Sequence, residues 1–257
     1  MQHISEPFVS GESLIHASHP GFRVICALLF SLVGALVMTI PAAIMVFISG
    51  ILFVFSARLP MFSLMKRLLY VNGFIFFLWL FLPFSRPGDP VFYVGPFTAT
   101  AEGILYAAVI TLKSNGIVLA VTSLISTMPV QLMGAGMQSV KFPDKLCRLF
   151  LFTWRYVHVM GEEYDKMKRA AIMRGFAPRN SMRTYRTYAW LLGMLLVRSW
   201  DRAQVVWQAM LCRGFTGKFY TLNVFQVRAS DWCLLGMTVL FACASIVFEL
   251  YKVEVFW

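Results

Sequence analysis

The sequence predicts an all-α membrane protein, with about five transmembrane helices and a cytoplasmic helical segment containing two long helices. Three observations carry that expectation. Hydrophobic residues make up 59% of the 257 positions and charged residues only 14%, with a mean hydropathy of +0.70. A water-soluble domain of this length would expose too much apolar surface, so a soluble enzyme and a disordered chain are both disfavoured. The net charge of +11 is also local. Sixteen of the 23 Lys and Arg fall between Lys141 and Arg228 against five acids, so this block alone accounts for the whole excess. Finally, several stretches are uncharged over the length a bilayer requires. The positive-inside rule explains a basic block in such a chain more simply than nucleic-acid binding does.

The spans follow in order. Val24 to Ala57 contains no charge. As one helix it would run roughly 50 Å against about 30 Å of hydrocarbon, so it must fold back. Pro41, near the middle, is the expected hairpin point, giving spans near 23–40 and 42–57. Arg58, Lys66 and Arg67 mark a cytoplasmic loop, and Leu68 to Ser85 is a third span. Arg86-Pro87-Gly88-Asp89-Pro90 reads as an outside turn, and a fourth span lies within 101–128, before Pro129. The last runs from Trp232 to Phe248, flanked by Asp231 and Glu249, with Trp257 as an interfacial anchor. With the 58–67 loop inside, the N-terminus is cytoplasmic. The expected organisation is a cytoplasmic N-terminal segment (1–22), four spans (23–128), a cytoplasmic helical domain (129–228) and a last span with the C-terminus (229–257). Thr187 to Val197, uncharged but too short to cross, is expected to be a buried contact within a cytoplasmic or interfacial helix.

The basic block contains a duplicated helix ending. Pro143-Asp144 opens a helical pattern, with Pro suited to a first turn and Asp to the positive end of the dipole. Apolar residues at Leu146, Leu149, Phe150, Thr153, Trp154, Val157 and Met160 recur at threes and fours. This helix ends Ala170-Ala171-Ile172-Met173-Arg174-Gly175-Phe176. A second begins near Ser181 and ends Ala209-Met210-Leu211-Cys212-Arg213-Gly214-Phe215. Aligned on Ala170 and Ala209, both endings read Ala, three residues, Arg-Gly-Phe. Gly accepts the left-handed conformation just past a helix end, and Arg in the last turn complements the dipole. One copy is ordinary capping chemistry. Two arginine-tipped helices suit a partner with two equivalent acidic grooves, because a guanidinium holds a carboxylate bidentately and a lysine does not.

These residues resemble the transmembrane T component of energy-coupling factor (ECF) transporters, of the cobalt/nickel CbiQ type. Thr127-Met128-Pro129-Val130-Gln131-Leu132 resembles the segment leading into that family's coupling domain. Phe142-Pro143 through Trp154-Arg155-Tyr156 resembles its apolar helix, Glu162-Glu163 stands where it has acids, and the two endings resemble its paired Ala-Arg-Gly signatures. Met173 and Cys212 stand where the family prefers Ala. Where the family often has Asp-Pro-Arg before the first span, this chain has His19-Pro20-Gly21-Phe22-Arg23, so no role is carried onto it. The resemblance implies docking by Ala171, Arg174, Gly175, Ala209, Arg213 and Gly214 to two cytoplasmic ATPases. It further implies a separate substrate-binding membrane subunit and a multi-pass protein of the cell (inner) membrane, without nucleic-acid partners. Cobalt or nickel is the implied cargo, with vitamin-binding subunits as the alternative. No GxxxxGK[ST] occurs in the chain, so ATP is expected on the partners, no cofactor on this chain, and no catalysis by it alone.

Other candidates are weaker. The five cysteines show no CxxC or zinc spacing. His16 and His19, with His3 the only other histidine nearby, lack the companions a metal needs. Lys113 is either a functional intramembrane charge or a snorkelling residue. Gly134-Ala135-Gly136 marks a close helix approach or a break. A membrane enzyme is disfavoured because no span carries a Ser/His or paired-Asp constellation. A self-sufficient channel or carrier is disfavoured because the spans are nearly free of pathway charges.

Overall fold

The computed structural model describes residues 13, 15, 16, 18–85, 90–94, 97–140, 142–216 and 229–255. The expected turn at Arg86–Asp89, His3, Gly217 and Trp257 lie outside them. Eight helices are described: α1 (Pro20–Leu36), α2 (Ile40–Ala57), α3 (Met61–Ser85), α4 (Ala101–Leu124), α5 (Val130–Ser139), α6 (Asp144–Met173), α7 (Met182–Cys212) and α8 (Ala229–Val255). A short antiparallel pair, β1 (Pro90–Val94) and β2 (Phe97–Thr100), joins α3 to α4 and is the one addition to the all-α expectation among the described residues. Contacts divide the chain into two compact units, residues 1–141 with 224–257, and residues 142–223.

The first unit is the apolar body. Four of its helices, α2, α3, α4 and α8 (over 229–249), are long and apolar enough to cross a bilayer, and α1 is a shorter apolar helix of 17 residues. The chain is a multi-pass membrane protein.

The hairpin between α1 and α2 turns at residues 37–39, not at Pro41. Proline has no N–H to donate, so it fits within the first turn of α2, where that donor would be unpaired anyway. The turn is pinned from both sides. The Lys113 ammonium donates to the carbonyls of Ala35 and Val37, each at 3.3 Å, meeting the negative end of the α1 dipole. Glu249 accepts from the amides of Met38 (3.1 Å) and Thr39 (3.0 Å) and from the Thr39 hydroxyl (2.8 Å), at the start of α2. The intramembrane lysine is thus a helix cap.

The second hairpin is also tighter than expected. Arg58 closes α2 in the left-handed region at φ 50°, and α3 begins at Met61, so Lys66 and Arg67 are helical and not in a loop.

Lipid tails are as apolar as side chains, so helix association in a membrane relies on close packing and hydrogen bonds. α2 and α4 meet backbone to backbone at Gly50 and Gly116. A Cβ on Gly50 would lie 2.6 Å from the Gly116 carbonyl oxygen, and one on Gly116 would lie 2.8 Å from that of Val46. Phe30 of α1 and Phe53 of α2 stack edge to face at 5.6 Å. α3 attaches to the α4 segment through polar contacts: Arg67 to Ser126 (2.8 Å), Asn115 to Asn72 (2.9 Å) and Trp79 to Thr111 (2.9 Å). The rest of α3 is largely exposed, as for a lipid-facing helix. α5 packs on the start of α1, where Gly136 lies against Pro20 so closely that an added Cβ would be 2.9 Å from its carbonyl carbon. The Gly134-Ala135-Gly136 stretch is therefore a close approach within one helix.

Candidate coupling site

The unit of residues 142–223 consists, among its described residues, of α6 and α7 and their connection. Pro143 precedes α6 and Asp144 occupies its first turn. Ser181 caps α7, its hydroxyl accepting from the Thr184 amide. The helices have 30 and 31 residues, each roughly 45 Å at 1.5 Å per residue.

Both helices end in the same hydrogen-bonded motif. At α6, the Phe176 amide donates to Ala171 O (3.1 Å) and the Gly175 amide to Ile172 O (3.0 Å). At α7, the Phe215 amide donates to Met210 O (3.1 Å) and the Gly214 amide to Leu211 O (3.0 Å). These are Schellman endings. Gly175 and Gly214 take φ of +84° and +74°, where a side chain is strained, and the space around each is open, so glycine is needed there for its backbone. Arg174 and Arg213 are the terminal cap residues of their helices, and both are exposed. Ala170 and Ala209 are the equivalent alanines, whereas Ala171 corresponds to Met210 and contributes a capping carbonyl. Each following phenylalanine packs on α7: Phe176 on Tyr188 at 5.6 Å and Phe215 on Trp207 at 6.2 Å, both edge to face.

The relation between the tips follows from what touches what. Glu163 of α6 forms an ion pair with Arg198 of α7, a contact the sequence reading did not foresee. On one side of it, Phe152, Tyr156 and Met160 line an apolar groove of about 330 Å³ with Val206, Trp207 and Met210. On the other side, Met167, Ala170 and Ala171 line a cleft with Thr187, Leu191 and Met194. The helices therefore run antiparallel, and their C-terminal tips point to opposite ends of the unit, up to roughly 40 Å apart by the residues intervening. One groove cannot take both arginines.

Two expectations need correction. Of the anticipated α6 stripe, Thr153 and Met160 do face α7, beside Phe152 and Tyr156, whereas Leu146, Leu149 and Val157 are exposed, at 48%, 62% and 49%, because they lie off that face. The uncharged stretch 187–197 is not a buried contact either. Trp190, Leu192, Met194, Leu196 and Val197 are all exposed, since α6 alone is too narrow to cover more than one side of α7.

Sequence reasoning also passed over residues in the apolar body. His19 caps α1, its Nδ1 accepting from the Gly21 amide at 3.1 Å, while its own amide donates to the buried Asp231 at 2.8 Å. Arg23, 2% exposed, donates through Nε to Leu124 O at 3.0 Å and through Nη2 to the Thr127 hydroxyl, fastening α1 to the end of α4. The isolated histidine-proline pair gave the signal for the first. The second joins positions about a hundred residues apart and left none. His16 is hydrogen bonded to Ser13 at 2.7 Å.

Comparison with known proteins decides the family. Residues 11–221 match the CbiQ cobalt transport protein family. The chain belongs to this family. An uncharacterized protein of Methanocaldococcus jannaschii is 28% identical over 109 residues, covering 42% of this chain and 40% of the relative. The energy-coupling factor transporter transmembrane protein EcfT of Heliobacterium modesticaldum is 26% identical over 222 residues, covering 82% of this chain and 83% of the relative. The CbiQ match takes in both Arg-Gly endings of this member.

Proposed function

We propose that this CbiQ-family chain is the energy-coupling transmembrane subunit of an ECF-type importer. It passes ATP-driven movement from two cytoplasmic ATPases to a separate substrate-binding membrane subunit, for cobalt or nickel ion uptake. The observation that carries this reading is the pair of identical Schellman endings. Each exposes one arginine at the tip of a long helix, and the antiparallel arrangement sends the two tips to different places. Such a device suits two separate acidic grooves, as on a pair of ATPase subunits. Arg174 and Arg213 would each grip a carboxylate, Gly175 and Gly214 would end the helix so that the guanidinium projects, and Ala171 and Ala209 would keep the approach uncluttered. The Glu163–Arg198 pair would make the helices move as one body. Residues 129–228 and the N-terminus would face the cytoplasm. ATP would be bound by the partners, with no cofactor on this chain.

The test is co-purification of the ATPases with the full chain carrying R174E and R213E, singly and together. Each reversal replaces attraction by repulsion at one groove, so each single variant should weaken the complex and impair uptake without lowering membrane expression. The double variant should release both ATPases. An intact complex in the double variant would refute the assignment.

A further inference from the structure

The chain leaves the apolar body for residues 142–223 through α4 and α5 and returns to it through α8. Both connections are fastened to the same short stretch, residues 19–23 at the start of α1. On the outgoing side, Arg23 donates through Nε to Leu124 O at 3.0 Å and through Nη2 to the Thr127 hydroxyl, at the end of α4. Pro20 lies against Gly136 of α5, and Gly21 faces Ser139 with no room for a side chain of its own. On the returning side, the His19 amide donates to Asp231 at 2.8 Å, and Phe22 packs edge to face on Trp232 at 5.4 Å, both in the first turn of α8.

The chemistry of these contacts makes them stiff. Arg23 and Asp231 are 2% and 1% exposed. A guanidinium stays protonated, and both described partners of Arg23 are uncharged. Drawing α1 away from α4 would strip a buried charge of its acceptors, which costs far more than parting apolar surfaces that lipid can cover. Asp231 is at once in the first turn of α8 and bonded to the cap residue of α1, so one buried carboxylate meets the positive ends of two helices.

We propose that the first turn of α1 is the joint that carries movement of residues 142–223 into the apolar body, with Arg23 and Asp231 as its positioning residues. Were the two connections independent, a displacement would spread the end of α4 from the start of α8 and be absorbed there. Tied to one turn, they move together and take α1 with them. This inference rests on the coupling function proposed above.

The experiment uses the full chain reconstituted in liposomes with the ATPases and the substrate-binding subunit, and reads cobalt or nickel ion taken up per ATP hydrolysed. R23M should lower this ratio about tenfold while the ATPases still co-purify and still hydrolyse ATP. R23K keeps the charge but cannot span two acceptors as a guanidinium does, so it should fall between R23M and the unaltered chain. T127V removes the buried hydroxyl at constant shape and should lower the ratio about threefold, which tests the joint even where R23M fails to fold. K113M, which loses hydrogen bonds at the opposite end of α1, should leave the ratio unchanged. A ratio unchanged in R23M and T127V, or lowered as much in K113M, would overturn the joint and leave the coupling function standing. No ATP-driven uptake by the unaltered complex would overturn the coupling function and the joint with it.

Discussion

Replacing Gly116 by alanine tests the packing of the apolar body, because the same change at Gly73 should act in the opposite direction. Both residues are inside helices, and alanine favours a helix over glycine by about 1 kcal/mol. At Gly73 an added Cβ meets nothing within 4 Å, so G73A should gain up to that amount. At Gly116 the Cβ would lie 2.8 Å from Val46 O, 2.9 Å from Val46 C and 3.0 Å from Phe47 Cα. All three are backbone atoms of α2 and have no rotamer to change, so the helices must separate. Overpacking costs about 1–3 kcal/mol, and a rigid backbone obstacle puts this case at the upper end. Separation also loosens the contact of Gly50 with Gly116. Net of the helix gain, G116A should lose about 2 kcal/mol, leaving a gap of about 3 kcal/mol between the variants. Unfolding by SDS in mixed micelles, followed by tryptophan fluorescence, reads this gap. Equal stability of the two variants, or a stabilised G116A, would refute a backbone-to-backbone crossing of α2 and α4.

Other consequences are more local. K113M removes the donor to Ala35 O and Val37 O and should cost about 1–2 kcal/mol in the same assay, whereas K113R should retain most of it. Exchanging the Glu163–Arg198 pair as E163R/R198E should restore the helix crossing that either single reversal disturbs, read as the spin-label distance between α6 and α7; the Arg198 side chain is 46% exposed, so the stability change should stay within about 1 kcal/mol. Burial pushes the Cys147 thiol up from its ordinary 9.0, with the Asp144 charge adding to the shift. The neutral thiol is the form favoured by folding, so stability from this group is present below pH 9 and is lost as the pH rises through the folded value. Alkylation of Cys147 should therefore be slow and accelerate only above pH 9.

Much of this architecture was legible in local chemistry. Pro143-Asp144 and Ser181 announced the starts of α6 and α7, and the two Arg-Gly pairs announced their ends, because caps are written in adjacent residues. The hairpin at 37–39 was misplaced because proline signals the first turn of a helix as readily as a break. The strand pair was missed although Gly95-Pro96 separates two β-favouring runs; both are short and lie between long apolar helices that dominate any hydropathy reading. The uses of Lys113, Glu249, Arg23 and Arg198 were illegible for another reason. Each joins helices far apart in sequence, and only packing decides which carbonyl or carboxylate a charge will find. The faces of α6 and α7 were misjudged because periodicity shows that a stripe exists without showing whether this chain or another surface covers it.

The central claim is that the helix tips are gripped from the cytoplasm. Cys212, next to Arg213, is exposed and reports on that tip directly. A variant retaining Cys212 as its only cysteine can be labelled with a membrane-impermeant maleimide in inside-out and right-side-out vesicles, with and without the ATPases. Labelling in inside-out vesicles alone, blocked when the ATPases are bound, is the predicted result. Labelling from the outer face, or labelling undiminished by bound ATPases, would contradict it.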